Sequence, residues 1–159
     1  MSFHYSPEQS KVEHLPKLRG AQRSVYNSIL KKLKDKNGSR IIFLSGPSGS
    51  GKTLLLNHII NVCDKDVLEI TSTNNSGSTL LKNSRTLHSA FGIPIVGKHE
   101  WTSPKYSSNL EVLIIDDVNS LNISDAQYVD NLLREKFRAD VPFGGIAVLL
   151  AGNPMVPEM

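Results

Sequence analysis

The sequence predicts an α/β fold in which helices flank a central parallel sheet. Apolar runs of strand length alternate along the chain with segments whose apolar residues recur at helical spacing. The run LEVLIIDDV at 110–118 is apolar on both faces, as a central parallel strand is. A glycine-rich motif, GPSGSGKT at 46–53, stands between an apolar run and a helical segment. Strands and helices that alternate in this way form parallel sheets with right-handed crossovers.

The N-terminal part of the chain predicts a tail followed by an amphipathic helix. Residues 1–16 are polar and contain two prolines, so we expect a flexible tail and a folded domain over 17–159. The residues that then fall on one face at helical spacing are Leu18, Val25, Ile29, Leu30 and Leu33. The pair Asn37-Gly38 is typical of a helix C-terminus and predicts the end of this helix.

Four strands and two further helices follow from the same patterns. The strands are expected at 40–45, 66–71, 110–118 and 145–152. The helices are expected from Lys52 to about Cys63 and over 124–137, the second with Ser124 as its N-cap. Residues 72–84 are rich in Ser, Thr, Asn and Gly, a composition typical of a loop.

Length and composition limit the class of protein. The chain has 159 residues, 39% of them hydrophobic and 21% charged, which suits one globular domain. A net charge of +3 agrees with a nucleotide or nucleic-acid partner without establishing one. The single cysteine, Cys63, excludes an internal disulfide and is expected to be a buried small residue. Since no apolar run reaches membrane length, we expect no membrane partner and an intracellular protein, nuclear if its host is eukaryotic.

The motif GPSGSGKT matches the phosphate-binding pattern G-x-x-x-x-G-K-[ST] at every fixed position. Glycines let the backbone point its N–H groups at phosphate oxygens, and the following helix directs its positive N-terminal end to the same anion. Lys52 supplies charge for the β- and γ-phosphates, and Thr53 supplies a hydroxyl for Mg²⁺. The alternative is a glycine-rich turn that happens to hold a lysine. The predicted nucleotide-contacting residues are Gly46, Ser48, Gly49, Ser50, Gly51, Lys52 and Thr53.

An acidic pair marks the end of the third predicted strand. Asp116 and Asp117 follow four apolar residues, at the carboxyl edge where parallel sheets bind ligands. Asp116 is the candidate for holding the metal, and Asp117 stands where a catalytic base is expected. The alternative is a solvated strand end. Aspartate is one methylene shorter than glutamate, the usual base in helicase-type enzymes, so we expect binding to survive better than hydrolysis.

Three further segments carry a family resemblance. They are LRGAQRSVYNSI at 18–29, LLKNSRTLHSAFGIPI at 80–95 and PFGGIAVLLAG at 142–152. Together with the phosphate loop and the acidic pair, they resemble the first RecA-like domain of PIF-type superfamily 1 DNA helicases, particularly those of Helitron transposons. The resemblance covers roughly residues 18–157 in order. It implies a RecA-like P-loop NTPase fold and ATP-driven 5′-to-3′ DNA unwinding by the parent enzyme.

The resemblance also implies roles for single residues. Gln22 takes the position that reads the adenine edge, with Tyr26 behind it. Thr73 and His88 stand at positions associated with the single-stranded DNA path, although a structural histidine is an equal alternative for His88. The implied cofactors are ATP and Mg²⁺, with Lys52 in a catalytic role. The implied partners are single-stranded DNA and a second RecA-like lobe.

The sequence departs from the family pattern at several points. NNSGS follows Thr73 where the family has Gly-Ile-Ala-Ala, and Asp117 replaces the glutamate. After Gly152 the chain has Asn153 in place of the family's aspartate, and no glutamine follows. The family's second lobe and its arginine finger do not occur within these residues, so we do not expect this polypeptide to unwind DNA by itself.

Two other functions compete with the helicase lobe. A nucleotide switch derived from such a helicase is favoured by Asp117 and the missing glutamine. A stand-alone ATPase of the replication-initiator type shares the LIIDDV strand end but has no reason to carry RTLHSAFGIP. Among weaker signals, KKLKDK at 31–36 is expected to be a solvated helix end. Trp101 and Tyr106 are expected to pack onto the domain, with base stacking as the alternative.

Overall fold

In the computed structural model, the described residues form an α/β domain of five parallel strands and four α-helices. The structure describes residues 15–35, 40–46, 51–72, 81, 84–94 and 103–152. Within them the strands are β1 (Ile41–Ser45), β2 (Leu68–Ser72), β3 (Arg85–Thr86), β4 (Val112–Asp116) and β5 (Ala147–Gly152). The helices are α1 (Ala21–Lys34), α2 (Lys52–Val62), α3 (Leu87–Phe91) and α4 (Ile123–Phe137), with short 3₁₀ turns at Val118–Ser120 and Pro142–Gly145.

The strands lie in the order β1-β5-β4-β2-β3, and every neighbouring pair is parallel. β4 is central, and its first four residues are buried. Alternate residues of β4 serve opposite faces, as the strand period of two requires. Val112 and Ile114 join the cluster formed with α1 and α2, whereas Leu113 and Ile115 join the cluster formed with α3 and α4. The predicted parallel sheet flanked by helices is confirmed.

The first helix is only partly as predicted. α1 buries Ile29 and Leu33, whereas Val25 on the same predicted apolar face is 38% exposed. Ile29 and Leu33 share a core cluster with Ile42 and Leu44 of the edge strand β1, whose alternate residues, including Phe43 at 54% exposure, are exposed. Leu18 is buried but precedes the helix. The last turn of α1 is basic and exposed, with Lys31, Lys32 and Lys34, and the predicted stop at 37–38 lies outside the described residues.

The helix after the acidic strand has its N-cap two residues earlier than predicted. Asn122, and not Ser124, is the N-cap of α4, because the Asn122 backbone is extended and its Oδ1 accepts a hydrogen bond from Ser124 N at 2.9 Å. The predicted loop at 72–84 is wrong at Ser72, which ends β2, and residues 73–80, 82 and 83 of that prediction lie outside the described residues. In the described residues, no helix has the length and apolarity needed to cross a membrane.

A very short strand and a very short helix follow that loop, and the sequence patterns predicted neither of them. β3 has two residues, and α3 has five. Thr86 caps α3 by accepting a hydrogen bond from Ser89 N at 3.1 Å, and Gly92 ends the helix in the left-handed region, φ 67°. These elements are too short to carry a recognisable period. They place the RTLHSAF segment beside β2 at the edge of the sheet.

Candidate nucleotide-binding site

The two ends of the predicted phosphate loop lie at the carboxyl edge of the sheet. Gly46 directly follows β1, and α2 begins at Lys52. β4 and β5 end at the same edge, because they run parallel to β1. Ser48, Gly49 and Ser50 lie outside the described residues, so their phosphate contacts stay predictions.

Gly51 closes the loop in a backbone conformation that favours glycine. Its backbone is left-handed, with φ of +88°, a region that side chains other than glycine rarely adopt. A Cβ at this position would collide with Nε2 of Gln22, which therefore reaches from the first turn of α1 to the end of the phosphate loop. Gln22 Oε1 accepts a bond from Arg19 N at 3.5 Å. The structure thus brings the residue predicted to read adenine beside the residues predicted to hold phosphate.

The loop lysine lies across the ends of two strands. Lys52 Nζ donates to the carbonyl oxygen of Gly46 and, at 3.1 Å, to that of Gly152. The Gly152 oxygen also accepts from Gly46 N at 3.3 Å. Thr53 is the second residue of α2, and no side chain among the described residues caps that helix at Gly51. The helix N-terminus and the lysine ammonium therefore supply positive potential to one place, as an anion site requires.

The two aspartates adopt different roles in the turn after β4. Asp116 ends the strand, and its Oδ1 accepts a hydrogen bond from Asp117 N at 2.9 Å. Asp117 has a left-handed backbone, φ 56° and ψ 47°, which costs a residue other than glycine of order 1 kcal/mol and is typical of functional turns. Its Oδ2 accepts from Ser120 Oγ at 3.2 Å. Sequence reasoning missed Ser120, although a serine three residues after an aspartate is a spacing that local turns use.

A glycine at the end of β5 joins this turn to the phosphate loop. β5 lies between β1 and β4, so their ends stand about 10 Å apart, two strand spacings. A Cβ on Gly152 would collide with Oδ1 of Asn119 and approach Val118 Cγ1 to 2.8 Å. Gly152 therefore contacts the turn after Asp117 and, through its carbonyl, Lys52. No local sequence signal predicts this close approach, because it joins segments that are distant in sequence.

The donors at this edge fit a hard, oxygen-bound cation. The Thr53 hydroxyl and the Asp116 carboxylate are the protein oxygens that would hold Mg²⁺, with phosphate oxygens and water completing its shell. Within the described parts of the chain, no group of three or more His, Cys, Asp and Glu side chains is arranged to hold a metal ion. A site with two protein ligands therefore depends on the nucleotide for the rest of its coordination.

Residues 17–156 match the model of the family described as PIF1-like helicase. The chain belongs to the PIF1-like helicase family. This confirms the resemblance drawn from the motifs, and the match spans the phosphate loop, the acidic pair and the PFGG segment together.

Two curated relatives show how far the likeness extends. The ATP-dependent DNA helicase Pif1 of Psychrobacter sp. is 32% identical over 125 residues, covering 70% of this chain and 19% of the relative. Uncharacterized protein 030L of Invertebrate iridescent virus 6 is 33% identical over 135 residues, covering 75% of this chain and 24% of the relative. The chain therefore spans about a quarter or less of the length of these curated relatives.

Solved structures agree on the fold. The Pif1 helicase from Bacteroides in complex with ADP-AlF3 and single-stranded DNA superimposes with a TM-score of 0.64 and 27% identity, over 90% of this chain and 34% of that one. Unliganded Pif1 from Bacteroides sp. matches with a TM-score of 0.62 over the same share of this chain. The predicted RecA-like fold is confirmed.

The residues predicted to contact DNA lie only partly within the part of the chain that the structure describes. His88 lies in α3, and its Nε2 is 3.1 Å from Oδ2 of Asp125 in the first turn of α4. Its Nδ1 is buried and has no hydrogen-bond partner among the described residues. His88 thus links two helices, and the structure brings it into contact with Asp125 rather than with the phosphate loop. Thr73 lies outside the described residues.

Two weaker predictions have clear outcomes. The Tyr106 ring packs against Phe91 with centroids 5.2 Å apart, and the Lys136 ammonium lies 5.3 Å from the Tyr106 centroid. This confirms packing onto the domain for Tyr106, whereas Trp101 lies outside the described residues. Cys63 is buried, as predicted, and burial raises the pKa of its thiol to about 12, which leaves it without thiolate at neutral pH.

Proposed function

We propose that residues 17–159 form the ATP-binding first RecA-like lobe of a PIF1-like DNA helicase. The parent enzyme couples Mg-ATP hydrolysis to 5′-to-3′ movement on single-stranded DNA. The main support for the proposal is that Gln22, Gly51 and Lys52 lie together. Asp116 lies at the same edge of the sheet. The family match and the name of the Psychrobacter relative support it.

Nucleotide binding follows from the residues at the ends of the loop. Lys52 exchanges the carbonyls of Gly46 and Gly152 for phosphate oxygens, which are stronger partners because they are charged. The backbone N–H groups at the start of α2 meet the same phosphates, and Gln22 meets the base. Thr53 and Asp116 would hold Mg²⁺, which would supply positive charge to the phosphate oxygens.

Hydrolysis depends on the orientation of Asp117. Its carboxylate is the base that positions an attacking water in this proposal. The side chain is one methylene shorter than glutamate and is bonded to Ser120. A misplacement of about 1 Å costs roughly 100-fold in rate, so we expect turnover to be slow.

A nucleotide-binding switch without unwinding activity is the second candidate. The hydrogen bond from Ser120 favours it, because it engages the Asp117 carboxylate in the local turn. Binding of Mg-ATP with no stimulation of turnover by single-stranded DNA would distinguish the switch from the helicase lobe.

The DNA and protein partners are proposed from the family. The Bacteroides Pif1 structure contains single-stranded DNA by its own description, and this chain matches 34% of it. Thr73 and His88 are the proposed DNA contacts, and the second RecA-like lobe acts in cis or in trans. The protein is proposed to act inside the cell, in the nucleus if the host is eukaryotic.

Titration of fluorescent ATP and ADP with Mg²⁺ tests the proposed site. We expect saturable binding by the wild-type chain and at least a tenfold loss in Lys52→Ala, because a charge-assisted bond to phosphate is removed. Lys31→Ala, an exposed lysine at the other end of α1, is the matched control and keeps wild-type affinity. Equal binding by all three proteins, or none by a folded wild type, would overturn the proposal.

A further inference from the structure

A histidine on α2, the helix that follows the phosphate loop, contacts the segment that precedes Gln22. His58 lies on α2, six residues after Lys52 and therefore about 9 Å along the helix axis. Its Nε2 is 2.7 Å from the carbonyl oxygen of Pro16. The carbonyl can only accept, so Nε2 carries the hydrogen. The Tyr26 ring meets the His58 ring edge-on, with centroids 6.1 Å apart and planes at 74°.

The held segment fixes where α1 begins. Leu18, two residues after Pro16, is 5% exposed and belongs to the core cluster of α1 and α2. Gly20 follows as the N-cap of α1 with a φ of 49°, and Gln22 is the second residue of the helix. The segment is thus anchored at two points before it delivers Gln22 to Gly51. A shift of the Pro16 anchor would move the start of α1 and, with it, the Gln22 amide.

We propose that His58 is a positioning residue for adenine recognition, acting through the segment 16–20 on Gln22. This rests on the proposed function, in which Gln22 reads the adenine edge. In this proposal α2 positions the groups that contact both halves of the nucleotide. It carries Lys52, which binds the phosphates, and His58, which holds the segment leading to the base-contacting Gln22. Base preference is therefore set partly by a side chain that does not touch the nucleotide.

Nucleotide preference distinguishes a positioning role of His58 from a purely structural one. We expect His58→Ala to weaken Mg-ATP binding about fivefold, the scale of one lost hydrogen bond, and to leave Mg-GTP binding unchanged. His58→Gln restores most of the ATP preference, because its amide also carries a donor. A purely structural role would lower stability or weaken both nucleotides equally, and the ATP-to-GTP affinity ratio would not move.

A double-mutant cycle tests whether His58 acts through Gln22. If it does, Gln22→Ala and His58→Ala each lower the ATP-to-GTP ratio, and the double variant lowers it no further than Gln22→Ala alone. Additive losses would contradict the route through Gln22. Hydrogen exchange at residues 17–22 supplies a readout without nucleotide, and we expect faster exchange in His58→Ala.

The possible failures are distinguishable. A wild type that binds no nucleotide overturns the proposed function, and the proposal about His58 falls with it. A wild type that prefers ATP, combined with an unchanged ratio or unchanged exchange in His58→Ala, overturns only the role of His58. A wild type that binds ATP and GTP equally leaves the phosphate site standing and overturns adenine recognition.

Discussion

Lys52 Nζ donates a hydrogen bond to the carbonyl oxygen of Gly152, 3.1 Å away across the ends of β1 and β5. The same glycine leaves no room for a Cβ because Asn119, in the turn after the acidic pair, lies against it. One residue therefore contacts both the phosphate lysine and the turn that carries Asp117. This explains how segments far apart in sequence form one edge, and it makes Gly152 a sensitive position.

Gly152→Ala is expected to lower the free energy of unfolding by about 1–3 kcal/mol, the usual cost of overpacking. It should also weaken Mg-ATP binding, because the displaced turn carries Asp116 and Asp117. Urea denaturation and nucleotide titration measure the two effects. Adding Asn119→Ala removes the main clash and should recover part of both losses. Wild-type stability in the single variant would show that the edge is looser than the structure indicates.

Asp117→Glu is expected to raise the single-turnover rate of ATP hydrolysis by one to two orders of magnitude. The longer side chain reaches about 1 Å further, and misplacement on that scale costs roughly 100-fold. Quench-flow with labelled ATP measures the rate, and Asp117→Asn is the inactive control. An unchanged rate in Asp117→Glu would argue that the base lies elsewhere and would favour the nucleotide switch.

Variants of the hydrogen-bonded residues His88 and Asp125 distinguish a structural histidine from a DNA-binding one. Both side chains are partly exposed, so His88→Ala and Asp125→Ala should each lower stability by only about 0.5–1 kcal/mol. If His88 also meets DNA, His88→Ala weakens single-stranded DNA binding while Asp125→Ala does so much less. Fluorescence anisotropy at low salt measures both. Equal DNA affinity in all three proteins would leave His88 with a structural role alone.

The pairing of Glu69 with Arg85 predicts a pH-dependent stability. Burial raises the pKa of the Glu69 carboxyl, and Arg85, with Nε 3.0 Å from Oε1, opposes the rise. A carboxyl with a raised folded-state pKa binds its proton more tightly when folded. Its contribution to stability therefore falls as pH rises from the unfolded value of about 4.3 through the folded value.

Arg85→Met removes the opposing charge and enlarges that fall. Because Arg85 is 38% exposed, we expect a loss of only about 1–2 kcal/mol at pH 7, below the cost of breaking a fully buried pair, and a smaller loss at pH 4. Urea denaturation across this range measures it, with Glu69→Gln/Arg85→Met as the control that flattens the profile. A loss that is larger at pH 4 would reverse the sign and contradict the assignment to Glu69.

The sequence predicts the parts of this fold that have a local cause. The phosphate motif fixes where α2 begins at Lys52, and an unbroken apolar run identifies β4 as central. β3 was missed because two residues carry no period, and Asn122 was passed over as the cap in favour of Ser124. The side chains of Asn122 and Ser124 are both suited to capping a helix, so only the backbone geometry decides which of them is the cap.

The residues of the candidate site also differ in whether a local sequence pattern predicts them. Gly51, Lys52 and Asp116 belong to motifs whose chemistry demands those residues at that spacing. Gly152 and His58 contact segments that are distant in sequence, so no pattern within a few residues reveals them. Their contacts exist only once the sheet has brought α1, α2 and β5 together.

The most direct test is a crystal structure of this chain with Mg²⁺ and ADP. The proposed site predicts phosphates against Gly51, Lys52 and Thr53, the base beside Gln22, and Lys52 Nζ no longer within hydrogen-bond distance of the Gly152 carbonyl. A nucleotide bound away from the carboxyl edge of the sheet, or a Lys52 that stays on Gly152 while the phosphates lie elsewhere, would contradict it.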